Sequence, residues 1–319
     1  GDSDEELVRA VKDGKLSEKV LDQRVDEILD VIFSTDEAVK RGKDKGYSNE
    51  SNHAMAQKAA EESIVLLKNE DHILPLKKGA KVAVIGDFAK NPRYQGAGSS
   101  VVNPIKVDNT VNVIKEFDLE VVGYAQGYHR TGSSDPALET EAIEYAAKAD
   151  LVLLYIGLDE ISESEGLDRR HMKMPDNQLQ LLEKIAMHNS NIVAVMAAGS
   201  AVEMPWLPKC KALIHGYLCG QAGARAMLRA IMGEVNPSGK LEETYPVKYE
   251  DIPSAPYFPA KERNAEYREG LYIGYRYFDT MDIPVLFPFG YGLSYTTFKY
   301  SNLKLSNEKA VFDITNTGD

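Results

Sequence analysis

The sequence predicts an α/β fold: a mostly parallel sheet covered by helices on both faces (an α/β sandwich), with a helical N-terminal piece and a truncated β-sandwich at the C-terminus. Three observations predict it. Short, largely apolar runs recur at 81–86, 120–124, 151–156, 192–198 and 212–218. Segments of helical spacing lie between and after them, near 109–117, 137–148, 176–189 and 221–232. Strands without polar alternation have both faces buried, and helices on crossover connections are what bury them. Finally, residues 297–319 alternate as β-strands, with Tyr300, Leu303 and Leu305, then Val311, Phe312 and Ile314.

Taken in order, residues 4–33 read as two amphipathic helices around the turn Asp13-Gly14-Lys15. Ser17 is the N-cap of the second, and Val20, Leu21, Val25, Ile28, Leu29 and Ile32 form its apolar stripe. The Lys/Asp/Gly-rich stretch 34–49 reads as an exposed linker. A further helix is expected over 54–68, carrying Ala59, Ser63, Val65 and Leu66, before the strand–helix alternation of 50–250. Residues 251–296 are rich in Pro, Tyr and Gly with little periodicity, and read as an irregular arm held by aromatic contacts. The chain ends in the first two strands of a β-sandwich, and both ends read as cut from larger units.

Composition excludes several classes. The chain has 319 residues, 43% of them hydrophobic and 27% charged, which suits one large α/β domain with smaller pieces. A net charge of −12 argues against a nucleic-acid partner, whose phosphates need a basic face. No stretch is long and apolar enough to read as a bilayer span. No signal peptide is read, which favours the cytoplasm. Cys210 and Cys219 flank the apolar segment 212–218. If that segment is extended, they stand too far apart for a disulfide and are buried free thiols. No Cys/His spacing suits a metal, and the chemistry below needs no cofactor.

The most informative stretch is Ser162-Glu163-Ser164-Glu165-Gly166-Leu167-Asp168-Arg169, just past the end of the 151–156 strand. In open α/β sheets, the C-terminal strand ends are where ligands bind. A glutamate there acts as a general acid if its surroundings keep it protonated, although most loop carboxylates simply face water. Gly86-Asp87-Phe88-Ala89, after the first parallel strand, lacks the glycines of a nucleotide-phosphate loop. Tyr94-Gln95-Gly96-Ala97-Gly98-Ser99-Ser100 is small enough for close ligand approach at Ser99, and reads equally as a tight loop. Ser200 ends another strand, but GxSxG is absent, so a serine hydrolase is dismissed. Trp206, between Pro205 and Pro208, reads as exposed or half-buried, for packing or sugar stacking.

Several blocks in order resemble the family 3 glycoside hydrolases, the β-glucosidase-like enzymes. Glu61 to Glu70 with Leu74-Pro75-Leu76 resembles the opening of the family's second domain. Glu163-Ser164-Glu165-Gly166-Leu167-Asp168-Arg169 with Met174-Pro175 and Asn177-Gln178 is similar to its acid/base loop. Asn236-Pro237-Ser238-Gly239-Lys240-Leu241, Tyr267-Arg268-Glu269-Gly270, Gly274 to Phe278 and Pro288 to Thr296 complete the resemblance.

The resemblance implies a division of the chain. Residues 1–49 would be the end of a TIM-barrel domain and a linker, 50–250 the α/β sandwich, 251–296 the arm, and 297–319 the start of a fibronectin-III-like domain. It also implies half an active site. The nucleophilic Asp sits on the barrel, outside this chain, and the sandwich lends it an acid/base glutamate. Matching on Glu-Gly-x-Asp-Arg favours Glu165 as the acid, with Glu163 the alternative. Asp168 and Arg169 are candidate substrate contacts, more readily a loop-shaping ion pair. The substrate implied is an oligosaccharide or β-glucoside, hydrolysed with retention. The rivals are a β-xylosidase or other exo-acting member, and a non-catalytic nucleotide- or sugar-binding module of doubly wound fold.

Overall fold

The computed structural model describes residues 3–42, 46, 48–261 and 263–318. They fall into two units, Gly1–Ser51 and Asn52–Asp319. The first holds α1 (Ser3–Lys12) and α2 (Glu18–Gly42). Ser17 takes the N-cap position of α2, its carbonyl accepting from the Val20 and Leu21 amides at 3.0 and 3.2 Å.

The expected linker from residue 34 is helix as far as Gly42. Glu37, Ala38, Lys40 and Arg41 are good helix formers, Lys40 pairs with Asp36 one turn back at 2.5 Å, and Thr35 turns its hydroxyl onto the Val31 carbonyl at 2.8 Å. Polarity alone misread an exposed helix as a linker. Residues 43–45 and 47 of that stretch lie outside the described residues.

The second unit takes in most of α3 (Asn49–Ser63), then β1 (Val65–Asn69), β2 (Ala80–Ile85), α4 (Asp87–Lys90), α5 (Thr110–Val113), β3 (Leu119–Ala125), α6 (Pro136–Lys148), β4 (Leu151–Gly157), α7 (Asp176–Ala186), β5 (Ile192–Ala197), β6 (Ala212–His215) and α8 (Gly223–Ile231). The expected helix over 54–68 is thus two elements. α3 stops at Ser63, and β1 pairs antiparallel with β6, Val65 opposite His215. Ile64, Val65, Leu66 and Leu67 are all buried, on every side of the chain, as a strand covered on both faces requires. A short apolar run does not distinguish a strand from a buried helix.

The sheet order is β1-β6-β5-β4-β2-β3, parallel except for β1. β2 connects outward to β3 at one edge, and the chain then returns past β2 to β4 and steps the other way through β5 to β6. With right-handed crossovers, the α5 connection lies on one face and the α6 and α7 connections on the other. The contacts agree: α5 packs with α8, and α6 with α7. The direction reverses between β2 and β4, so their C-terminal ends form the crevice of the fold.

Strands β4 and β5 are buried almost throughout, as their unbroken apolar sequence predicts. β6 stops at His215 rather than running to 218, because Tyr217 adopts φ +48° and turns the chain. Cys210 and Cys219 are both free, the first buried and the second half-buried. Trp206 is buried at 3% exposure, not at the surface, and its Nε1 donates to the Glu203 carbonyl at 3.2 Å.

Beyond residue 240 come β7 (Tyr245–Pro246), α9 (Tyr275–Thr280) and β8 (Val285–Phe287), with β7 and β8 paired antiparallel. The arm is therefore less irregular than its sequence suggests. Its end is sewn to the sheet: the Leu293 amide donates to Leu66 of β1 at 2.8 Å, and the Asn236 side chain holds Ser294 and the Tyr295 amide at 2.9 Å each. The motifs 236–241 and 288–296 thus meet across the outer edge of β1. Finally β9 (Phe298–Leu305) and β10 (Ala310–Asn316) form an antiparallel pair.

Candidate active site

Three loops converge on the crevice between β2 and β4. One follows β2, one follows β4, and the third follows β5 at Gly199-Ser200. The first two are joined by a parallel bridge between Ala97 and Ser164, and Ser164 stands between the two candidate glutamates.

The glutamates have different environments. Glu165 is exposed, and its Oε2 accepts from the Ser99 amide at 2.8 Å and from the Ser99 hydroxyl. These bonds favour the ionised form and hold its carboxyl below the usual range. Gly98 makes the approach possible. A Cβ there would stand 2.8 Å from Glu165 Cβ, at a backbone φ of +80°. The 94–100 loop is tight here and cradles a carboxylate.

Glu163 points inward, its side chain only 10% exposed. Oε2 accepts from Arg93 and from the Gly199 amide at 2.8 Å. Oε1 accepts from the Ser200 hydroxyl at 2.7 Å and lies 3.6 Å from Arg169 Nη1. Burial pushes the Glu163 carboxyl up, but Arg93, Gly199 and Ser200 outweigh it, and it stays below the ordinary range. Glu163 thus faces four donors, Arg93, Gly199, Ser200 and Arg169, and Glu165 faces Ser99 alone.

Arg169 also donates to the Ser200 hydroxyl at 2.6 Å and to the Ala201 carbonyl at 3.2 Å. The ion pair expected between Asp168 and Arg169 is not formed among the described residues; the carboxylate partner of Arg169 is Glu163. Adjacent residues in an extended loop point apart, and Asp168 faces an open cleft of about 480 Å³ with Tyr257, Phe258 and Arg268 on its walls. Arg93, Gly199 and Ser200 were missed as site residues. Ser200 was weighed only as a nucleophile, and a lone arginine after an asparagine and a proline carries no sequence signal.

Among the described residues, no cluster of His, Cys, Asp and Glu could hold a metal ion, and no helix is long and apolar enough to cross a membrane.

The sequence profile described as "Glycosyl hydrolase family 3 C-terminal domain" matches residues 64–295. This chain belongs to glycosyl hydrolase family 3. Thermostable beta-glucosidase B of Acetivibrio thermocellus is 47% identical over 311 residues, covering 97% of this family 3 chain and 41% of that protein. An exo-alpha-(1->6)-L-arabinopyranosidase of Bifidobacterium breve is 39% identical, covering 99% and 44%. Among solved structures, the GH3 beta-glucosidase of Bifidobacterium adolescentis superposes with a TM-score of 0.91 at 39% identity, over 99% of this chain and 48% of that one. Beta-glucosidase 3B of Thermotoga neapolitana, in complex with glucose, gives 0.86 at 29% identity, over 100% and 49%. This family 3 chain therefore spans less than half the length of each of these relatives.

Behind the loops, His215 is fully buried. Its Nε2 accepts from the Tyr245 hydroxyl at 3.0 Å, and its Nδ1 donates to the Met196 carbonyl at 3.2 Å. Burial pushes its pKa down to about 4. An unfolded histidine binds its proton below about pH 6.5. Between that pH and about 4, only the unfolded chain takes up this proton, so stability falls with acid by about 3 kcal/mol in total. Glu163 and Asp108, held below the usual carboxylate range, lose their contributions at more acid pH. Urea unfolding at a series of pH values should show the slope between pH 6.5 and 4, and His215→Gln should flatten it. An equal slope in the variant would assign the proton uptake elsewhere.

Proposed function

We propose that this chain is the acid/base-supplying region of a retaining exo-β-glucosidase, completed by a nucleophile on a TIM-barrel domain outside its 319 residues. One observation carries the reading: an exposed glutamate on the loop after β4, held by Ser99 at the crevice of a family 3 fold. The close likeness to beta-glucosidases supports glucose as the sugar.

The chemistry follows from two carboxyls about 5 Å apart across the glycosidic bond. The barrel carboxylate attacks the anomeric carbon as the carbon–oxygen bond breaks, and protonated Glu165 delivers its proton to the departing oxygen. Glu165, now ionised, takes a proton from water as that water attacks the same carbon and releases the nucleophile. Here Ser99 favours ionised Glu165. The negative nucleophile beside it raises the carboxyl so that it can begin as an acid, and forming the glycosyl ester removes that charge so that it can continue as a base. Glu163, saturated with donors, takes neither role.

The test is the full-length protein on a panel of nitrophenyl β-glucoside, β-xyloside and α-L-arabinopyranoside, with the first-formed anomer read by NMR. We expect the glucoside to be preferred and the β-anomer to appear first. The isolated 319-residue chain should give no turnover above a blank. Inversion, or turnover by the isolated chain, would refute the shared-site mechanism. Preference for a pentopyranoside would move the sugar assignment toward the arabinopyranosidase relatives.

A further inference from the structure

We infer that Glu163 is a positioning residue, a buried anionic clamp that sets where Glu165 stands against Ser99. The inference rests on the acid/base reading of Glu165. It begins with an imbalance along the loop. Glu165 is exposed and held by one residue, Ser99. Two positions earlier, Glu163 is held by donors from three segments. Arg93 follows β2, Gly199 and Ser200 follow β5, and Arg169 closes the loop after β4. The loop carrying the acid is thus fixed through Glu163, and Glu165 inherits its place through Ser164 and the bridge to Ala97.

Charge gives the clamp its stiffness. Arg93 and Arg169 are both largely buried, with side chains 1% and 20% exposed, and Glu163 is the carboxylate that both face. Arg93 also donates to the Leu158 carbonyl at 3.1 Å, at the root of the same loop. Without the negative charge between them, two guanidinium groups repel across a poorly solvated space and drive apart the segments that carry Ser99 and Glu165. Ser200 both donates to Glu163 and accepts from Arg169, so it trims the clamp without altering its charge.

A displaced acid fails selectively. Proton delivery limits the rate only when the leaving oxygen is basic, so poor alignment slows alkyl glycosides and spares those whose leaving group departs unaided. General loss of folded enzyme slows both alike. The experiment measures kcat/KM of the full-length protein for cellobiose and for dinitrophenyl β-glucoside, in wild type, Glu163→Gln, Ser200→Ala and Glu165→Gln.

For Glu163→Gln we expect cellobiose to fall on the order of 10–100-fold and the dinitrophenyl substrate to stay within about threefold. Ser200→Ala should show the same asymmetry, about 3–10-fold on cellobiose. Should Glu163→Gln fail to fold, the Ser200→Ala ratio decides alone. Equal losses on the two substrates, or no loss on either, would overturn the clamp while Glu165→Gln still abolishes cellobiose hydrolysis. A Glu165→Gln variant that hydrolyses cellobiose like wild type would instead overturn the acid/base reading, and the clamp's role with it.

Discussion

Replacing Glu165 with glutamine is expected to slow hydrolysis of cellobiose by the full-length protein about 10²–10⁴-fold. The amide keeps the size of the side chain, and its oxygen can still accept from the Ser99 amide and hydroxyl, so the loop should hold its place. What is lost is the proton. Dinitrophenyl β-glucoside, whose leaving group departs as a stable anion, should still form the glycosyl-enzyme quickly. That intermediate should then accumulate, because no carboxylate remains to take the proton from attacking water. Azide is already an anion and needs no base, so it should release the enzyme and yield β-glucosyl azide. Mass spectrometry of the trapped enzyme and NMR of the azide adduct are the measurements. If Glu163→Gln abolishes cellobiose hydrolysis while Glu165→Gln leaves it intact, the roles of the two glutamates are reversed.

Gly86→Ala should be severely damaging to the second unit, because it combines backbone strain with backbone overlap. Gly86 follows β2 with φ +118°, and a Cβ there would lie 2.1 Å from the Tyr155 carbonyl oxygen and 3.0 Å from its carbon. Both are backbone atoms of β4, which is buried at every residue and cannot move aside. Strain and overlap together should exceed about 4 kcal/mol, enough to deplete the folded chain. Gly132→Ala is the control. Its φ is +83° with nothing within 4 Å, so it meets conformational strain alone, about 1–2 kcal/mol. Urea denaturation of both variants gives the comparison. Equal costs would mean that β2 and β4 tolerate separation at this point. The consequence is functional, because this close approach lets the loops bearing Ser99 and Glu165 leave the sheet side by side.

The parallel sheet was legible because its strands are buried on both faces. Leu151 to Gly157 announces itself without reference to anything distant. β1 was not, because an apolar run of four residues, Ile64 to Leu67, next to a helix has no periodicity of its own, and only its pairing with β6 makes it a strand. The site divides in the same way. Glu163, Glu165 and Ser99 were readable as residues that follow strands and lie near glycines. Their opposite fates were not readable, since one turns inward to Arg93 and Gly199 and the other outward to Ser99. Those partners come from loops that adjoin only after the sheet has formed. Asp168 and Arg169 failed as a pair for the converse reason: neighbours in sequence were assumed to be partners in space.

The placement of β1 also bears on how this protein is made. Val65 pairs with His215, so β1 leaves the ribosome about 150 residues ahead of its neighbour. At roughly 5–20 residues per second, that interval lasts about 8–30 seconds. For that time Ile64 to Leu67, an unbroken apolar run destined for complete burial, has no β6 to lie against. Nascent chains of this protein should therefore be clients of a ribosome-associated chaperone during that window, and translation pauses placed before residue 212 would lengthen the exposure.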